Sequence, residues 1–189
     1  FHRESVSWPD SAGGVDLAES VPAEDRLPVR DAATHLGLAP KEWKARVESE
    51  GEPRPYWDTT LRENDEADLQ FVKDLQARGM VVFDFSCDSE AGIFFVLKKN
   101  WKLRLIVDAR RANQKLKRPP RTRLASTAAV VEVRTLEGTV FVFSAQDITD
   151  CYYQFAIPHS LARMFGLRPV RAGQVGITEV LGTPVGPND

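Results

Sequence analysis

What this sequence has little of narrows it before any motif is read. It holds two cysteines, Cys87 and Cys151, far apart and in no Cys-x-x-Cys pair, and three histidines, His2, His35 and His159. That set is too sparse for a structural zinc site, whose ligands come in close pairs. Both thiols are expected to be reduced, which points to an intracellular chain, with nucleus or cytoplasm left open. No apolar run approaches the roughly 18–20 residues that a bilayer-spanning helix needs, so no membrane partner is expected. The chain opens on Phe rather than Met, and no signal-like apolar segment follows. It is expected to be a soluble part of a longer reading frame. Internal repeats are absent as well.

Charge is present in quantity but unevenly placed. The formal net charge is −2. Residues 1–90 carry 20 acids against 10 bases and residues 91–189 carry 7 against 15, so the halves stand at −10 and +8. Between 98 and 123 there are 11 bases and only one acid, Asp108. Such a block favours a polyanion, because neutralising phosphates releases their condensed counterions. Composition alone allows a solvated basic face equally well.

Residues 1–28 are rich in Pro, Gly, Ser and acids without a sustained period and are expected to be linker. "LPVRDAATHLGLAPKEWKARVES" suits two short helices, with Asp31 a first-turn acid of one and Pro40 opening the other. "NDEADLQFVKDLQARGM" is the clearest helix. Asn64 or Asp65 can cap it, Leu69, Val72, Leu75 and Gln76 follow helical spacing, and Gly79 suits the residue just past its end. "MVVFDF" is expected to be a short strand, followed by the acidic turn "SCDSEAG". "ARRANQKL" suits a short helix and "KRPPRTR" a stiff basic loop. "STAAVVEVRTLEG" suits a helix, "TVFVFSAQDI" a strand, "TDCYYQF" a helical turn or two, and "RMFGLRPV" another strand.

"IFFVLKKNWKLRLIVD" is expected to be a β-hairpin. With Asn100-Trp101 as the turn, Lys99 pairs with Lys102, Lys98 with Leu103 and Leu97 with Arg104. Alternation then places Lys99, Lys102 and Arg104 on one face and Phe94, Val96, Leu103, Leu105 and Val107 on the other. Trp101 fits poorly into the left-handed conformation of a tight primed turn.

The order of motifs is itself informative. A helix ending "LQARGM", the hairpin running into "LIVDARRANQ", and "FVFSAQDITDCYYQFAIP" followed by "FGL" resemble the fingers and early palm of reverse transcriptases of retroviral and retrotransposon type, over roughly residues 65–170. The resemblance implies an α+β fold: an incomplete right-hand polymerase with a β-hairpin and a partial palm sheet. Residues 1–60 would be a linker or weakly structured N-terminal region, 61–136 a fingers-like region, and 137–189 a partial palm. The implied function is RNA-directed DNA polymerisation with Mg²⁺, on an RNA or DNA template-primer with deoxynucleotides as substrate.

In that family two Mg²⁺ ions about 3.5–4 Å apart activate a primer hydroxyl and neutralise the leaving group. By resemblance Asp147 is a catalytic carboxylate and metal ligand, and the carbonyl of Ile148 completes the contact to the nucleotide-bound ion. Without the resemblance, the favoured reading of Asp147 is as the cap of "TDCYYQF". Asp150 and Cys151 sit where the family offers backbone N–H groups to the triphosphate. Tyr152 sits where an aromatic ring lies under the sugar and excludes a 2′-hydroxyl. Tyr153, Phe155 and Phe165 are expected to be core. Lys99 and Arg104 would hold the β- and γ-phosphates. The stretch between the lysines and Arg104 is shorter than the retroviral pattern, so Lys98 or Lys102 can take the role given to Lys99. Arg110 and Asn113 match template-strand positions, and Lys115, Lys117 and Arg118 would contact the sugar–phosphate backbone. Asp108 is expected to stabilise the hairpin base. The family's Tyr-x-Asp-Asp motif, which supplies two further carboxylates, does not occur in these 189 residues. The chain alone is therefore expected to be inactive, and a non-catalytic nucleic-acid-binding remnant is the alternative.

Overall fold

The longest helix shows how local signals set the frame. The computed structural model describes residues 2–121, 134, 138, 142, 144 and 146–189. They fall into two units, Phe1–Lys117 with Asp150–Asp189, and Arg118–Thr149. In chain order the first unit holds strand β1 (Val15–Asp16) and helices α1 (Leu17–Ser20), α2 (Ala23–Arg30), α3 (Ala32–His35), α4 (Pro40–Glu50), α5 (Thr59–Glu63) and α6 (Asp65–Ala77). Strands β2 (Gly92–Leu97) and β3 (Leu103–Asp108) follow, then α7 (Arg110–Lys115), β4 (Phe155–Ala156), α8 (His159–Ala162), α9 (Ala172–Val175), β5 (Glu179–Val180) and β6 (Thr183–Pro184). Helix α6 begins where Asn64 Oδ1 accepts the N–H groups of Glu66 and Ala67, both at 3.1 Å. Asp65, Glu66 and Asp68 line its positive first turn. It ends in a Schellman arrangement: Met80 N–H bonds Leu75 O at 2.9 Å, Gly79 N–H bonds Gln76 O at 3.0 Å, and Gly79 takes φ 68°.

The inward stripe of α6 forms the main core. Phe71 and Leu75 pack with Trp57, Leu61, Ile93 and Leu105, and Trp8, Met80, Val81, Phe95 and Leu167 close around them. Phe71 meets Phe95 edge-on at 5.9 Å between ring centroids. These contacts choose the register of the hairpin.

That register differs from the sequence expectation. Leu97 pairs with Leu103, Val96 with Arg104 and Phe95 with Leu105. Ile93, Phe95, Leu97, Leu103, Leu105 and Val107 therefore share the core face, while Phe94 and Val96 join Arg104 and Ile106 on the other. Lys99 leaves the ladder and enters a three-residue loop. Lys98 N–H bonds Lys102 O at 2.7 Å, Trp101 N–H bonds Lys98 O at 3.0 Å, and Trp101 adopts φ 62°. A turn followed by a left-handed residue is the usual three-residue solution. It twists with the strands and lets Phe95 reach Phe71, which the two-residue turn would have aimed away.

Segment 2–60 carries far more structure than a linker. Ser7 N–H bonds Leu103 O at 2.8 Å and Val6 bridges Leu103, so the N-terminus runs beside β3. Arg3 forks onto Asp74 of α6 with both bonds at 2.6 Å, and Trp8 stacks near Phe71 at 6.0 Å. Strand β1 pairs in parallel with β4. Asp31 caps α3, and Pro40 opens α4. The pairings of this segment with Leu103, Asp74, Phe71 and β4 are long-range, and such contacts leave no periodic trace in sequence.

Two expected strands do not form. "MVVFDF" runs without strand pairing and bends at Phe85, with Met80 and Val81 turned to the core and Val82 and Phe85 outward. "RMFGLRPV" makes a 3₁₀ turn over Arg163–Phe165 and a single parallel bridge from Gly166 to Glu90. Cys87 packs so closely on Gly166 that a Cβ there would overlap its sulfur. The described residues are mixed helix and strand, an α+β arrangement, with sheets of two strands each. The expected helix "STAAVVEVRTLEG" and most of the strand "TVFVFSAQDI" lie outside the described residues.

Candidate nucleic-acid interface

The base of the hairpin is organised by one carboxylate. Buried Asp108 accepts hydrogen bonds from Tyr56 N–H at 2.9 Å and from Arg110 Nε and Nη2 at 2.8 and 2.7 Å, with Arg110 N–H at 3.3 Å. The Arg110 guanidinium, aided by these N–H groups, holds its pKa down to about 2. Asp108 is thus structural, as expected. Gly92 sits opposite it, and any Cβ there would run into the backbone of Tyr56. This close approach lets the 51–58 loop lie against β2, where Asp58 N–H bonds Ile93 O at 2.6 Å.

Helix α7 follows directly and carries several of the candidate contacts. Its rear is braced by the N-terminal region. Arg46 of α4 donates to Gln114 O at 3.0 Å and Leu116 O at 2.8 Å, satisfying carbonyls at the helix end. Gln114 Nε2 bonds Gly51 O at 2.6 Å, and Arg111 Nε bonds Glu52 at 2.7 Å. Arg110 and Asn113 remain exposed on the other side. Lys115 Nζ bonds the carbonyl of Asp88 and lies 4.9 Å from the Trp43 ring centre; Lys117 Nζ bonds His35 O at 2.9 Å. Both amines are thus partly engaged within the protein. Arg118 belongs to the second unit.

At the tip, Lys98 Nζ reaches Ser7 Oγ at 3.3 Å and Lys102 Nζ reaches Glu4 O at 3.4 Å. Lys99 is exposed and makes no side-chain hydrogen bond among the described residues. Arg104 is exposed on the face that also carries Lys98 and Lys102. Its charge is felt at Tyr153, whose hydroxyl pKa is pushed up by burial and by Asp150 and drawn back by Arg104. Arg104 and the 150–153 turn are therefore electrostatic neighbours within the first unit.

That turn is a 3₁₀ helix over Cys151–Gln154, entered through Asp150 at φ 52° with no side-chain cap bond. The capping position falls at Asp150, so the turn does not use Asp147 as its cap. Tyr152 projects outward, 93% exposed, and Tyr153 turns inward beside the Gly13–Tyr153 backbone bond of 2.8 Å. Phe155 and Phe165 are half-buried. Cys151 is half-buried and has a free thiol.

Asp147 and Ile148 belong to the second unit, and both are exposed. Mg²⁺ takes about six oxygen ligands and usually one or two carboxylates. One carboxylate and one main-chain carbonyl do not complete a two-metal centre, and no group of three or more His, Cys, Asp or Glu among the described residues could hold a metal.

Sequence patterns did not disclose two further groups. Arg163 clamps the acidic turn, bonding Asp84 at 3.0 Å, Asp88 at 3.0 Å and Ser86 Oγ at 3.2 Å, with His159 Nε2 3.0 Å from Asp84. Arg46 is the other. Only the excess of acids in "DFSCDSE" hinted that a cation had to meet them. No helix among the described residues is long and apolar enough to cross a membrane. No family model matches the chain, and neither a curated protein nor a solved structure matches it.

Proposed function

We propose that this chain is the fingers and N-terminal palm portion of a reverse transcriptase, an RNA-directed DNA polymerase, and that alone it binds nucleic acid without extending it. The reading rests on one observation: "LIVDARRANQ" and "DITDCYYQF" occur along the chain in the family's order. In its support, the first motif forms β3 and α7, and Arg110 and Asn113 at its end stay solvent-facing. Arg104 lies on the lysine-bearing face of the hairpin and within electrostatic reach of the turn that carries Asp150, Cys151 and Tyr152.

In this proposal Arg104 and Lys99 bind the nucleotide's phosphates, and Asp150 and Cys151 offer them backbone N–H groups. Tyr152 selects a deoxyribose, and Arg110, Asn113, Lys115, Lys117 and Arg118 hold the template-primer. Asp147 and the Ile148 carbonyl would be Mg²⁺ ligands only in a polypeptide that adds the Tyr-x-Asp-Asp carboxylates. Primer extension tests this. Chain 1–189 should incorporate no deoxynucleotide with Mg²⁺, whereas a product of the same frame extended downstream should, and Asp147→Asn should abolish it. Extension by 1–189 alone, or a downstream frame without such a motif, defeats the reading.

A second reading is favoured by the charge pattern. No acid lies between Glu90 and Asp108, while Lys98, Lys99, Lys102 and Arg104 do. A non-catalytic nucleic-acid-binding remnant would keep salt-sensitive affinity even where no extended frame restores synthesis.

A further inference from the structure

Trp101 stands at the tip of the hairpin under two unfavourable conditions. It is 79% exposed, and it holds φ 62°, a conformation that suits Gly or Asn and is rare for a bulky side chain. The other tryptophans show the ordinary arrangement. Arg78 lies over Trp8 at 4.6 Å, Lys115 over Trp43 at 4.9 Å, and Arg168 over Trp57 at 6.0 Å. Trp101 has neither a ring nor a cation partner among the described residues. Around it stand Lys98, Lys99 and Lys102, with Arg104 two pairs down the ladder from the Lys98–Lys102 closure. Bulky residues kept in such backbone wells concentrate at functional sites.

We propose that Trp101 is a stacking platform for an unpaired nucleobase, with the lysines beside it taking the flanking phosphates of single-stranded nucleic acid. The observations favour this occupant. Every base has a π-face that an indole can cover, and a cationic ribbon tracks a phosphate chain without reading sequence. In a duplex those faces are already stacked and out of reach. An anionic lipid surface would meet the lysines equally well. However, Leu97, though 56% exposed, lies on the opposite face of the ladder from Arg104, so the tip offers a bilayer one ring and one aliphatic side chain, whereas a stacked base needs only the ring. The inference rests on the reading that the hairpin meets nucleic acid, but not on polymerase chemistry.

The test uses chain 1–189 and an end-labelled oligothymidylate in an anisotropy titration at low salt, beside a duplex of equal length and phosphatidylserine vesicles. Trp101→Asn suits the left-handed position, so the hairpin should keep its fold, which circular dichroism and thermal melting check. It should weaken single-strand binding by about 5- to 150-fold, the range expected for one lost base–aromatic stack. Duplex binding and the salt slope should be unchanged. Trp101→Phe should recover most of the loss, and tryptophan fluorescence should be quenched on binding in the parent but not in the Asn variant. Equal single-strand affinity in parent and Asn variant overturns the platform while leaving the interface reading intact. Parallel loss of duplex binding overturns it in favour of a structural role, and binding to vesicles alone overturns it in favour of lipid. If the parent binds neither nucleic acid, the interface reading falls, and the platform with it.

Discussion

Asp108 shows how much one buried carboxylate can organise. It orients Arg110, anchors the backbone of Tyr56 and closes the hairpin at Gly92. Its folded pKa, about 2, lies below the ordinary carboxylate value of about 3.9. The stabilisation is therefore fully present above pH ~4 and is lost as the pH falls through ~2, on the order of 2 kcal/mol in all. Urea unfolding across this range should show that loss in the parent. Asp108→Asn should lack this acid-dependent part and be less stable at neutral pH, because the charge-assisted bonds from Arg110 are gone. A parent with flat stability between pH 4 and 2 would contradict the assignment. Tyr152 marks the other extreme of residue behaviour. Its ring is nearly free in solvent, so its substitution should leave folding alone.

At the scale of elements, α7 depends on a helix far from it in sequence. Six residues make too short a helix to persist unaided, since nucleation is costly and few bonds repay it. Arg46 of α4 supplies donors to two of its terminal carbonyls. Arg46→Met keeps the aliphatic stem and removes the donors, and should cost about 1–3 kcal/mol. Amide exchange should accelerate at residues 113–116 more than in α6. Uniform acceleration, or none, would mean that the brace is incidental. The hairpin makes a related point. Its strands were evident from alternating apolar residues, but its register was not, because a slip of one residue is equally compatible with the local pattern and exchanges the two faces. The edge-on packing of Phe95 on Phe71 decides it.

At the scale of the whole molecule, acids fill the first half of the chain and bases the second. The acids are largely spent on structure. Asp74 holds Arg3, Asp84 and Asp88 hold Arg163, and Asp68 meets Arg168 at 3.3 Å. The hairpin cations are spent less, which is why the proposed interface is set there. For single strands each phosphate contact contributes about −0.7 to the slope of log affinity against log salt. Lys99→Gln and Arg104→Gln should therefore each flatten the slope by about 0.7, as measured by titration over a salt series. Slopes unchanged in both would remove the tip from the interface.

What the amino-acid order determined by itself is short in range: the span and caps of α6, the existence of the hairpin and of α7, and the sign of the charge along the chain. Each follows from neighbours within a turn or a strand, where a capping side chain, a 3.6-residue stripe or an alternation acts directly on the backbone. Only the tertiary structure decided which hairpin face is inner and why "MVVFDF" stays unpaired. It also decided that residues 2–60 bind the edge of β3, the start of β4 and the end of α7. Those outcomes depend on pairings across tens of residues, such as Arg3 with Asp74 and Arg46 with Leu116, and no local pattern encodes a partner that distant.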